Sequence, residues 1–132
     1  MRYLIDTHVL IWSLLDSKKL SGKAASLILD PENDIYVSLV SFWEISLKYS
    51  IGKITIDKIK PDEIPEYVKE AGFEILYQNE HEVSSFYRLP VISHKDPCDR
   101  MIVWQSIYND LTLISKDSSL SEYSSKGLKL IW

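Results

Sequence analysis

The feature that most restricts this chain is a series of short, unbroken apolar segments, each followed by a longer stretch with helical spacing. Arg2–Asp6 carries Tyr3, Leu4 and Ile5 in succession, Ile35–Ser38 is a compact β-rich run, and Leu111–Ser115 repeats the pattern. A strand with one wet face alternates apolar and polar side chains, whereas a strand that is apolar at successive positions is covered on both faces. Strands of this kind alternating with helices predict an α/β fold with a mostly parallel sheet flanked by helices on both faces. Helices are predicted over His8–Leu15, Ser21–Leu29, Ser41–Ile51, Asp62–Ala71 and Pro97–Tyr108. Another is capped by Asn79 and runs to Arg88, and a short one lies near Leu120. Further strands are predicted over Phe73–Tyr77 and Leu128–Ile131, while Lys53–Pro61 admits an extended piece or a turn.

The chain has 132 residues and no repeat, low-complexity tract or Gly/Ser linker, so it reads as one domain over 1–132. No apolar run approaches the ~20 residues that span a bilayer. The N-terminus, with an acid at position 6, does not read as a signal peptide. Cys98 is the one cysteine, which rules out a disulfide framework and a multi-cysteine zinc site. A reduced, cytoplasmic setting is the expectation. Fifteen Lys+Arg against nineteen Asp+Glu give a formal charge of -4, which excludes gripping nucleic acid by bulk positive charge. It leaves room for an enzyme that acts on nucleic acid through a metal held by carboxylates.

In open parallel sheets, ligands bind beyond the carboxyl ends of the strands, near the point where strand order reverses. Asp6 ends the first predicted strand, and Asp117 follows the strand Leu111–Ser115. Glu44 and Asp99 lie in the first turns of helices, where each heads an apolar stripe: Leu47 and Ile51 after Glu44, and Ile102, Val103 and Ile107 after Asp99. Strand C-termini and the N-termini of the helices that follow share one sheet edge, so the four acids are expected to converge. Carboxylates held together raise one another's pKa unless a cation joins them. Oxygen ligands without histidine or cysteine favour Mg²⁺ or Mn²⁺ over zinc, and one or two such ions can activate water and stabilise a leaving oxygen.

Each acid also has an ordinary explanation. Ser41-x-x-Glu44 matches a capping box. Asp96-Pro97 is a helix cap followed by proline at the first helical position, and Asp99 in that turn favours the helix dipole. Asp6 and Asp117 suit turns. These readings do not account for all four standing on one edge. Asp96 is read as a cap first and an outer-shell group second. Two signalling-type alternatives fail: a receiver domain needs an acidic pair after the first strand and a late Lys-Pro, and an Asp-x-Asp phosphatase needs an acid where His8 stands.

Four segments taken in order, Leu4-Ile-Asp-Thr-His-Val-Leu-Ile-Trp12, Val40-Ser-Phe-Trp-Glu-Ile-Ser-Leu-Lys48, His94-Lys-Asp-Pro-Cys-Asp-Arg-Met-Ile102 and Leu113-Ile-Ser-Lys-Asp117, resemble the PIN-domain nucleases, in particular the VapC-type toxins of toxin–antitoxin pairs. The resemblance implies a five-stranded, mostly parallel sheet. It implies a Mg²⁺- or Mn²⁺-dependent endoribonuclease that cuts tRNA or rRNA, with Asp6, Glu44, Asp99 and Asp117 as metal-binding and catalytic acids. Asp6 and Asp99 would hold the principal ion, Glu44 would join directly or through water, and Asp117 would complete the shell or help a second ion. Cys98 departs from the phenylalanine common at its position, and Ser115 stands where threonine is frequent.

Thr7 and Ser115 are candidates for the outer shell beside Asp96. Arg100, Lys116, Lys48 and Lys95 lie near the motifs and are candidates for RNA phosphates, with solvated surface charge as the plain alternative. His8, His81 and His94 share no ligand spacing and read as surface or capping residues, with His8 near enough to Asp6 to face RNA. Trp43 and Trp104 fall in helical stripes and read as core. Trp12 sits on a helix that is apolar nearly all round, which needs cover on two sides. The resemblance implies an antitoxin groove that includes Trp12, and a homodimer. The competing functions are a PIN nuclease of RNA maturation outside a toxin pair and a non-catalytic PIN-like partner-binding domain.

Overall fold

Successive residues of β1 (Arg2–Ile5) enter two different cores, which is why the strand is apolar throughout. Tyr3 and Ile5 pack with Val9, Leu10, Ile35 and Val37 on one face, and Leu4 packs with Ile102, Val103, Leu113 and Tyr123 on the other. The computed structural model describes residues 1–132. With β2 (Asp34–Ser38), β3 (Glu74–Leu76), β4 (Thr112–Ile114) and β5 (Lys129–Ile131), β1 forms a five-stranded sheet in the order β3-β2-β1-β4-β5. Every pairing is parallel. The chain builds outward from β1 through β2 to β3, then returns to the other side of β1 for β4 and β5. The reversal therefore lies between β1 and β4, and their carboxyl ends frame the crevice in which such sheets bind ligands.

Helices α1 (Thr7–Leu15), α2 (Gly22–Leu29), α3 (Leu39–Ser50) and α4 (Ile64–Glu70) supply Leu10, Ala24, Ile45 and Val68 to the first core. Helix α6 (Pro97–Tyr108) and the 3-10 helix Ser118–Lys126 cover the second face with Ile102, Val103, Leu120 and Tyr123. Between them α5 (Glu80–Ser84) starts at Asn79, whose side chain accepts from Glu82 N–H at 2.9 Å, and tightens into 3-10 turns to Arg88. Gly72, at φ 82°, supplies the left-handed residue after α4 that a side-chain-bearing residue would strain to adopt. No helix is long and apolar enough to cross a membrane.

Helix α6 spans the predicted residues, because Asp96 caps it through Asp99 N–H at 3.0 Å and Pro97 occupies its first turn. Helix α3 differs. It begins at Leu39, directly after β2, because the Ser38 hydroxyl accepts from Val40 N–H at 3.1 Å and is the true cap. Ser41-x-x-Glu44 is therefore no capping box, and Glu44 stands in the second turn rather than the first. The shift also changes the buried face. Ser41, Glu44 and Ile45 point inward, while Leu47, Ile51 and Trp43 are exposed, Trp43 by 59%. Apolar spacing alone could not tell the two faces apart, since both carry apolar residues and the inner one also carries the polar groups of a site. Trp104 is half-buried and donates from Nε1 to the Glu82 carbonyl at 2.9 Å.

Candidate active site

Three of the predicted acids meet in one cleft of about 360 Å³ at the carboxyl ends of β1 and β4, where Asp6, Asp99 and Asp117 share the walls with His8, Trp12 and Lys116. Each is placed by a local hydrogen bond. Asp6 is the N-cap of α1 and accepts from Val9 N–H at 2.9 Å. Its own N–H donates to the Ile114 carbonyl at 3.2 Å, which ties the end of β1 to β4. Asp117 caps the 3-10 helix, accepting from Ser119 N–H at 3.0 Å and from the Ser119 hydroxyl at 2.5 Å. Asp99 extends from the first turn of α6.

Burial pushes the Asp6 carboxyl above the usual range, and the negative charge of Asp99 adds to that, against the Ser115 hydroxyl, the Val9 N–H and His8. Burial likewise raises Asp99, and Asp96 and Glu44 push it further, while His94 opposes. Two neighbouring carboxylates that resist ionisation are the electrostatic signature of a site short of positive charge.

Glu44 stands behind this cleft and is only 1% exposed. Its Oε1 accepts from the Thr7 hydroxyl and its Oε2 from Lys48 Nζ, each at 2.5 Å. The Thr7 hydroxyl also lies 3.0 Å from that of Ser41. Burial works against the Lys48 charge, but Glu44, with Asp96 and Asp99, more than offsets it and holds the ammonium above its ordinary range. Glu44 thus anchors Thr7 and Lys48, and one of its oxygens lies within 4.8 Å of an Asp96 oxygen and the Cys98 sulfur. The Ser115 hydroxyl accepts from Asp117 N–H at 3.1 Å and is buried. Thr7 thus touches the Glu44 carboxylate, while Ser115 bonds the Asp6 side chain and the Asp117 backbone.

The basic residues divide. Lys116 is exposed and its Nζ lies 5.8 Å from the Trp12 ring, on the cleft wall. Lys48 is spent on Glu44. Arg100 donates to the carbonyls of Leu89 and Pro90 at 3.1 and 3.5 Å and lies over the Phe86 ring at 4.8 Å. Its guanidinium braces that loop.

Sequence spacing misses His94. It lies five positions before Asp99 on a loop with no periodicity, yet its Nε2 sits 2.9 Å from Asp99 Oδ2. A cue was available only in three dimensions, because the loop folds back over the start of α6. A second cleft of about 520 Å³ lies beside α1, with Ile11, Trp12, Leu15, Ile54 and Ile56 on its walls among polar and charged residues such as Asp16, Lys19, Asp57 and Lys58. Trp12 borders both clefts.

The sequence profile of the PIN domain matches residues 3–126. No curated protein gives a significant sequence match. Among solved structures, the chain is similar to VapBC2 from Rickettsia felis bound to a DNA fragment from their promoter, at TM-score 0.68 and 17% identity, covering 99% of this chain and 98% of that one. VapBC-1 from nontypeable Haemophilus influenzae matches at TM-score 0.66 and 16% identity over 99% and 97% of the two chains. FitAcB from Neisseria gonorrhoeae matches at TM-score 0.63 and 17% identity over 98% and 96%. At these identities the likeness is one of fold.

Proposed function

This chain belongs to the PIN-domain family, and from that membership we propose that it is a VapC-like toxin, a metal-dependent endoribonuclease restrained by a cognate antitoxin. The observation that carries the reading is the meeting of Asp6, Asp99 and Asp117 in one cleft at the point where strand order reverses. Their chemistry fits a divalent ion: all offer oxygen, and Asp6 and Asp99 are held in a setting that disfavours their charge until a cation arrives. When bound, one or two Mg²⁺ or Mn²⁺ ions supply the positive charge that acidifies water and stabilises the leaving oxygen of a phosphodiester.

The protein's own groups do the positioning. Asp6 and Asp99 would hold the ion, with Asp117 beside them on the cleft wall. Glu44 acts through its neighbours, fixing Thr7 at the start of α1 and Lys48 beside Asp99. Asp96 sets the direction of Asp99 by capping its helix. Lys116, free on the cleft wall, meets an RNA phosphate as the chain of tRNA or rRNA enters.

The groove that shares Trp12 with this cleft receives a segment of the antitoxin. A second copy of the toxin covers the exposed apolar strip of Leu39, Trp43 and Leu47 on α3 with Ile51 at its end. The pair works in the cytoplasm. VapBC complexes among the similar structures support the partner class. The test is cleavage of purified tRNA and rRNA by the chain with Mn²⁺ or Mg²⁺, with chelator as control. Metal-dependent cuts at discrete positions, suppressed by the co-expressed antitoxin, are the expected result. A chain that binds no divalent ion and cuts no RNA would overturn the reading.

A further inference from the structure

His94 enters the acid cleft from the loop before α6 and is held there at both ends. Its ring lies 2.9 Å from Asp99 Oδ2 through Nε2, and 3.3 Å from the Ser119 hydroxyl and 3.8 Å from Asp117 Oδ2 through Nδ1. Its backbone carbonyl accepts from the hydroxyl of Tyr123 at 3.4 Å, and Tyr123 is fully buried. The imidazole keeps 16% of its surface exposed. It therefore has a fixed place in the site and an open side. One ligand atom from each of His94, Asp99 and Asp117 lies within 4.8 Å of the other two. These atoms come from three separate segments: the loop, the first turn of α6 and the start of the last 3-10 helix.

We propose that His94 is a nitrogen ligand that completes a mixed site with Asp99 and Asp117, so that the cleft prefers divalent transition ions to Mg²⁺. The inference rests on reading this cleft as a divalent-cation site, and it adds the donor that decides which cation. Carboxylates and waters alone suit Mg²⁺, a hard ion that sheds water reluctantly. An imidazole nitrogen is a softer donor, and sites containing one bind ions later in the Irving–Williams order more tightly. The same nitrogen bonded only to Asp99 would be a strap holding the loop, with no bearing on which ion binds. Ser119, on Nδ1, orients the ring as the outer partner of a metal-binding histidine does, with Nε2 left to face an ion beside Asp99.

Co²⁺ alone and Mg²⁺ alone, titrated into the full chain by calorimetry and followed for Co²⁺ by visible absorption, test this. The wild-type chain is expected to bind Co²⁺ about tenfold or more tightly than Mg²⁺. His94→Gln and His94→Ala are expected to lose about tenfold in Co²⁺ affinity while Mg²⁺ affinity moves by less than about twofold. His81→Ala, which alters an exposed histidine on α5 away from this cleft, is expected to keep both affinities. His94→Gln keeps a hydrogen-bonding side chain in the loop and decides the question if His94→Ala unfolds. Unchanged Co²⁺ affinity in His94→Gln overturns the ligand role and leaves the carboxylate site standing. A wild-type chain that binds neither ion removes both.

Discussion

The hydroxyl of Thr7 donates to Oε1 of Glu44 at 2.5 Å, joining residues 37 positions apart. The bond fastens the first residue of α1 to the second turn of α3, and Lys48 takes the other Glu44 oxygen. A buried carboxylate is tolerated only with its charge and lone pairs satisfied. Replacing Lys48 by Met is expected to cost on the order of 2 kcal/mol, below the value for fully buried pairs because the lysine keeps part of its surface in water. Thr7→Val is expected to cost about 1–3 kcal/mol through the unpaired Oε1. Urea midpoints measure both, and Glu44→Gln combined with Lys48→Met should recover part of the loss, since no buried charge is then left without a partner.

Asp6→Asn and Asp99→Asn test the proposed chemistry. Asparagine is as good a helix cap as aspartate, so α1 survives the change at position 6. Loss of a metal-holding charge is expected to lower Mn²⁺-dependent RNA cleavage by about a hundredfold or more. Circular dichroism should show an unchanged fold. Full activity in either variant would sink the site assignment.

The raised pKa values of Asp6 and Asp99 give the stability of the metal-free chain a definite sign with pH. In the window between the unfolded value, about 4, and the higher native values, the native state binds more protons than the unfolded state. Stability therefore falls as pH rises through that window, and the full penalty is present above the native values. In chelator, the wild-type chain should lose stability relative to Asp6→Asn as pH rises from about 4 to 7. Adding Mn²⁺ at neutral pH should raise the melting temperature of the wild type and do so much less in Asp6→Asn. Parallel pH profiles for the two proteins would contradict this.

Trp12, half-buried beside the groove, and Trp43, exposed on α3, should separate the partner surfaces. Trp12→Asp is expected to abolish co-purification of the antitoxin, because it places a charge in the groove beside α1. Trp43→Asp is expected to shift the toxin from dimer to monomer in sedimentation velocity while sparing the antitoxin. Undiminished antitoxin capture by Trp12→Asp would count against the groove.

Cys98 should be inert to alkylation. Burial, and then the charges of Glu44 and Asp96, push its thiol up to about 11. At pH 8 the native chain should react with iodoacetamide at least about 100-fold more slowly than free cysteine. Labelling should become fast in urea. Fast labelling of the folded chain would show that the first turn of α6 opens in solution.

Local chemistry was legible from residues alone. The unbroken Tyr3-Leu4-Ile5 run marks a strand covered on both faces, and Asp96-Pro97 marks the start of α6; both need only neighbours a few positions away. The convergence of Asp6, Asp99 and Asp117 could be inferred because parallel sheets bring strand ends to one edge. Tertiary structure alone decided the rest. The order β3-β2-β1-β4-β5 sets β1 beside β4, the Ser38 cap turns α3 so that Glu44 faces Thr7 and Trp43 faces water, and an irregular loop carries His94 onto Asp99. Periodicity reports which residues share a face of one element. It holds no information about which face meets which neighbour, because that choice is made by packing between segments distant in the chain.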